Sequence, residues 1–414
     1  MHCKSDDSSS EGDTNSSGKH NHGHTAGTEN EAGSPTADAS KQASHSSEEA
    51  DAGSTSRDGN ESAESSSPDT SDSEDSGTTS DAVEPEAGAP TPSSEPKPDV
   101  PSAIPEYDIV DLGVVDGDTQ SEGFAINIDG DVMVNGVLST GVYHDKSLTD
   151  IGLLPDGTKI FGEGMNDSGD VVGKAWLADV YAHAFLYRDG ALTNLAAEVG
   201  ETLVSEVKDI NNQGVMLLYV DGAYFRYEDG EKTPLPQDPM LGGMTPVALN
   251  DEGVIVGTQS FGSLTDLHTD AAKLEGDMVT DLGDLEGNGS QGMAINNHGD
   301  VVGLAFTASN DQHAVLFKDG EVTDLGVLEG HMHSHALGIN DDGVIVGESI
   351  SFSGGGDKAF VYADGVMVDL NERIAADSGW ILTRANAINN AGQITGVGSP
   401  DGTPIAHAFR ATPK

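Results

Sequence analysis

QGMAINNHGDVVGLAFTASNDQHAVLFKDGEVTDLGVLEG, residues 291–330, decides the fold, because nearly everything from Tyr107 onward repeats it, whole or worn. Its apolar residues alternate with a period of two, and four short runs are each closed by turn residues. Met293-Ala-Ile-Asn296 leads into Asp300-Val-Val-Gly303, then His313-Ala-Val-Leu-Phe317 and Glu321-Val-Thr-Asp-Leu325. Four antiparallel strands in a repeat of this length are one propeller blade.

The turns carry the reading outward. An Asn-x-x-Gly frame recurs at Asn127, Asn166, Asn211, Asn250, Asn296, Asn340 and Asn389, at spacings of 39, 45, 39, 46, 44 and 49 residues. Asn caps such a turn and Gly takes positive φ without strain. Asp-Gly pairs at Asp189, Asp229, Asp319 and Asp364 predict a second hairpin between strands three and four. The length differences fall mostly between strands two and three, around 258–269 and 348–357.

Both ends of the repeat region are incomplete. Tyr107-Asp-Ile-Val-Asp-Leu-Gly113 matches a fourth strand with no first three before it, and the last copy stops after Ala406-His-Ala-Phe-Arg410 without a fourth. Joined, the two fragments make one blade and leave no open sheet edge. The expected fold is therefore all-β: a seven-bladed β-propeller of four-stranded blades over 106–414, closed by its N-terminal strand. Before it, residues 1–105 contain no Phe or Trp and are rich in Ser, Asp, Glu, Gly and Thr. Such a segment buries too little apolar surface to offset ordering entropy, and reads as a long disordered tail or stalk.

Charge narrows the partners. The chain holds 71 acidic and 19 basic residues, a formal charge of −52. With 23 of the acidic and 5 of the basic residues in 1–106, the remaining 48 and 14 leave the repeat region near −34. Nucleic acid and anionic membrane surfaces would be repelled, and no run approaches the ~18 apolar residues of a transmembrane span. Such acidity also suits a saline habitat.

The motifs His183-Ala-Phe185, His407-Ala-Phe409 and His313-Ala-Val315 resemble those of the bacterial HAF repeat family. So do the Ala-Ile-Asn-Asn, Val-Val-Gly and Thr-Asp-Leu-Gly runs. The resemblance covers Tyr107 to the C-terminus and implies an extracellular repeat protein; it brings no activity and no catalytic residues. Lys358-Ala-Phe360 departs at the His position, so a ring of identical His sites is not expected. Cys3, the one cysteine, followed by a Ser/Asp-rich tail, resembles the lipid-modified start of a bacterial lipoprotein. That reading requires an export signal upstream of Met1.

Chemistry is sparse. Gly287-Asn-Gly-Ser-Gln-Gly292 fits G-x-G-x-x-G but precedes a strand, so an inter-blade turn is expected rather than a dinucleotide site. Asp116-Gly-Asp118 starts like a calcium loop and lacks the later ligands. His331-Met-His333-Ser-His335 is the candidate metal cluster, since alternate residues of an extended segment share a side. His20, His22 and His24 form a second, looser run. No catalytic set and no cofactor is read. The expected function is a non-enzymatic, surface-tethered module that binds a protein or glycan through its loops. The alternatives are a propeller-scaffold hydrolase or lyase with loop-borne Asp, Glu and His, and metal capture by the histidines.

Overall fold

The computed structural model describes residues 100–414 apart from 179, 180, 239–241, 264, 265 and 353. The disordered-tail reading of 1–99, with Cys3, His20, His22 and His24, lies outside the described residues.

Seven four-stranded antiparallel sheets form the ring. Blade 1 spans 122–150, blade 2 157–194, blade 3 205–234, blade 4 245–281, blade 5 286–326 and blade 6 333–369. Blade 7, over 381–413, takes Tyr107–Gly113 as its outermost strand, with Tyr107 opposite Pro413 and Val110 opposite Arg410. The ordered unit reaches back beyond this strand. Ile104 is 2% exposed in the same core cluster as Tyr107, and the Arg373 guanidinium donates to the carbonyls of Ile104 and Pro105 at 3.3 and 3.2 Å.

The turn chemistry is as read from the sequence. In blade 5, Gly299 N–H donates to Asn296 O at 3.1 Å, Asp300 N–H donates to Asn296 Oδ1 at 3.0 Å, and Gly299 sits at φ +81°. Asp319 and Gly320 are both left-handed, at φ +53° and +80°, as a type I′ hairpin requires. Two expectations need correction. Residues 287–292 are not a turn but part of the strand Glu286–Ile295, because the ladder with Val301–Thr307 resumes at Ser290. The long segment 258–269 is ladder too: Ile255–Ser263 and Asp266–Glu275 pair out to Ser263 opposite Asp266.

Packing runs between blades. Val302 belongs to a cluster with Ala336, Ile345 and Phe360 of blade 6, while its neighbour Val301 packs with Val256 and Ala271 of blade 4. Successive residues of a strand face opposite ways, so one Val-Val pair serves both neighbours. The glycine after them has a steric reason: a Cβ on Gly303 would lie 1.9 Å from Gln291 O on the adjoining strand. Serines then latch blade to blade. Ser334 Oγ donates to Gly326 O at 2.6 Å and accepts from Ala314 N–H at 2.8 Å, both in blade 5; Ser290 does the same to blade 4, and Ser121 to blade 7.

Candidate functional site: the central channel

The innermost strands surround a channel, and one irregularity shared by every blade decides what lines it. The pairing of first and second strands slips at Gly123/Ala125, Gly162/Gly164, Val207/Asp209, Pro246/Ala248, Gly292/Ala294, Ala336/Gly338 and Ala385/Ala387. A bulge leaves one residue unpaired and re-aims its side chain. The residues released are Phe124, Glu163, Lys208, Val247, Met293, Leu337 and Asn386, and all line a cavity of about 640 Å³.

The lining is two-sided. Val247, Met293 and Leu337 of blades 4–6 make an apolar arc. Elsewhere the charges are paired. Lys174 reaches Glu206 at 2.8 Å and also Glu163, while Lys208 reaches Glu206 at 2.7 Å and Glu163 at 3.3 Å. Burial acts to raise the Glu206 carboxyl, but its hydrogen bonds to Lys174 and Lys208 outweigh this and hold it low. Arg384 pairs with Glu122, whose Oε1 also accepts from Asn386 Nδ2 at 2.7 Å.

Asp209 breaks the repeat. Two residues before the turn Asn, the other blades carry Ala125, Gly164, Ala248, Ala294, Gly338 and Ala387. Its carboxylate accepts from Ile210 N–H and Leu249 N–H, each at 2.9 Å. Burial pushes it up to about 7, against those two bonds and with a small contribution from Asp251. Asp209 lines both the large cavity and a smaller one of about 220 Å³ at the turn face.

That smaller cavity is rimmed by two rings. The turn asparagines form the first: Asn166 Nδ2 donates to Asn211 O, and the pattern runs through Asn250, Asn296, Asn340 and Asn389 to end on Asn127 O, at 2.7–3.2 Å. The next residues, Ile128, Asp167, Asn212, Asp251, Asn297, Asp341 and Asn390, form the second. Each backbone N–H from Ile128 to Asp341 donates to the side chain of the following blade; the Asn212 and Asn297 amides bridge flanking Asp carboxylates, and Asn390 donates to Asp341 alone. The sequence reading assigned these Asn residues to turns, but their second role depends on closure and has no local signature.

The third-strand histidines also find partners. His313 Nδ1 meets Asp324 at 2.9 Å and His407 Nδ1 meets Asp111 at 3.0 Å, while Lys358 does the same work on Asp369 at 2.7 Å. In blades 5–7 the position thus supplies a donor for the fourth-strand Asp, which Lys358 does as well as an imidazole; His183 of blade 2, with Asn194 on the fourth strand, bonds Glu201 at 2.6 Å instead. Of the candidate cluster, His333 and His335 lie on the inner strand of blade 6. His333 Nδ1 accepts from Gln312 N–H at 2.8 Å; His335 bonds Glu348 at 3.1 Å and Gln312 at 2.9 Å. His331 precedes that strand with its Nδ1 buried and unbonded. Asp118 of the calcium-like run accepts from Leu138 N–H at 3.1 Å and from Ser139 Oγ, and so caps a blade 1 loop.

No protein-family profile matches the sequence, and no curated protein does. Among solved structures, the chain is similar to the extracellular domain of a protein from B. thetaiotaomicron described as a one component system. The identity is 8% and the TM-score 0.46, over 75% of this chain and 40% of that one. It is also similar to YCF48 bound to D1 peptide, at 10% identity and TM-score 0.46 over 78% and 98% of the two chains. Streptogramin B lyase matches at 9% identity and TM-score 0.43, over 76% and 100%. Among the described residues no helix is long and apolar enough to cross a membrane.

Proposed function

We propose that the protein is a non-enzymatic binding module of the HAF-like repeat class, held outside the cytoplasm on its N-terminal segment. It takes a protein or glycan ligand at the mouth of the channel. The observation that carries this reading is the amphipathic cavity, whose volume falls in the range of ligand sites. Its apolar arc lies open while its charged groups neutralise one another, which suits recognition of a ligand with an apolar face and neutral polar groups. The surrounding face agrees. The exposed Leu138, Tyr181, Met332, Phe352 and Ile405 all stand on second-to-third-strand loops or inter-blade connections, which topology puts on one face. Extracytoplasmic placement and a lipid anchor at Cys3 rest on the family resemblance and on the position of that cysteine.

The test is to screen the full chain against glycan and peptide arrays beside Leu337→Glu, which puts a charge on the apolar arc. A ligand retained by the wild type and lost by the variant is expected. Equal retention by both, or no ligand on either array, overturns the reading. A second reading, a hydrolase or lyase, rests on Asp209, whose carboxyl titrates near neutrality inside the cavity. Turnover abolished by Asp209→Asn would favour it.

A further inference from the structure

Blade 4 departs from the repeat at a second place, and the departure has the chemistry of a metal site. Ladder register places Ala272 opposite Asp281 just as Val315 lies opposite Asp324 in blade 5. Two residues before that pair, the other blades carry Ser139, His183, Ala223, His313, Lys358 and His407. Blade 4 alone carries a carboxylate there, Asp270, and so sets acid against acid where blades 5, 6 and 7 pair His or Lys with Asp. An imidazole arrives instead from two positions earlier on the same strand face, His268.

We propose that His268, Asp270 and Asp281 bind one divalent first-row transition ion, of which zinc is the representative. Among the described residues this is the one group of His, Cys, Asp or Glu side chains in which three ligand atoms lie within 4.8 Å of one another. His268 Nε2 is 3.2 Å from Asp281 Oδ2 and 3.4 Å from Asp270 Oδ2. With metal–ligand bonds of about 2.1 Å, the edge of a tetrahedron is ~3.4 Å, so these separations already suit a shared ion.

Asp270 supplies the independent observation. It is 3% exposed, yet its closest contacts among the described residues are His268 at 3.4 Å and Ser290 Oγ at 3.5 Å. The Ser290 hydroxyl is already donated to Gly283 O at 2.6 Å. A buried carboxylate without a short donor is costly, and a cation removes that cost. Phe261 stacks on the His268 ring at 6.1 Å between centroids and fixes its orientation. His268 and Asp281 are partly exposed, so the site has a way in and an open coordination position. One nitrogen and two carboxylate oxygens select zinc or its neighbours over calcium and magnesium.

The test titrates chelator-stripped full-length protein with Zn²⁺ by calorimetry, in excess Ca²⁺ and Mg²⁺ to occupy the acidic surface. The background carries His20, His22 and His24 replaced by Ala, which removes the competing run in the tail. One tight equivalent is expected, and His268→Ala should lose it or weaken it by more than the ~10–100-fold that loss of outer-sphere support costs. Asp270→Ser, using the residue of blade 1, should do the same, with circular dichroism in chelator checking its fold; if it does not fold, the exposed His268→Ala decides alone. Zn²⁺ bound equally by His268→Ala, or displaced by the excess Ca²⁺ and Mg²⁺, overturns the site.

Discussion

Asp209 and the small residues that replace it in the other blades show what a single side chain does to an otherwise uniform ring. Its folded carboxyl holds a proton up to about 7, against ~3.9 for an unfolded Asp. Between those values the folded chain binds more protons than the unfolded one, so stability is full below the unfolded pKa and falls as pH rises to the folded one. At about 1.4 kcal/mol per unit the loss is at most a few kcal/mol. Asp209→Asn has one carbonyl oxygen where Ile210 and Leu249 N–H use two, so it loses one acceptor at a cost independent of pH, and it does not titrate. Its urea midpoint should therefore stay flat between about pH 4 and 7, where the wild type declines; parallel profiles would reject the assignment. Ser334→Ala strands the buried Ala314 N–H and the Gly326 carbonyl. Equilibrium unfolding should show a loss of about 1–3 kcal/mol.

The seam sets the outcome at the level of the strand. Removing residues 1–113 deletes the outermost strand of blade 7 together with buried Ile104, Tyr107 and Leu112. Removing 1–100 touches none of these. The first truncation should melt well below full length and the second beside it, by calorimetry or circular dichroism. Closure is legible in the sequence because Tyr107–Gly113 and the last copy each lack what the other supplies. The turns were legible for a steric reason, since positive φ restricts the residues that fill them. The bulges were not: an extra residue in the inner strand reverses which side chains face the channel, and alternation alone cannot register that. Asp209 stood in plain sight among alanines and glycines, but its meaning depends on the slip just before it. Blade 4 has no local signature for its third strand, because Asp270-Ala-Ala272 replaces the His-Ala-Phe motif and the ladder there is unusually long.

Over the whole molecule, charge dominates. About −34 on the repeat region repels itself, and salt relieves this beyond a Debye length of ~10 Å at 0.1 M. The melting temperature should rise from dilute buffer into molar NaCl, with choline chloride giving the same trend; a flat response would mean the paired channel charges outweigh the surface. The outer ring of side chains at the turn face adds an arithmetic constraint. Asp and Asn alternate there, acid then amide, from Asp167 round to Asn390. A cycle of odd length cannot be coloured with two colours, so in a ring of seven the alternation must fail once. It fails at Ile128, between Asn390 and Asp167, where either polar choice would set like beside like. A duplicate with one blade more or fewer would be free of that conflict, and the lone isoleucine is the mark that an odd count leaves on the sequence.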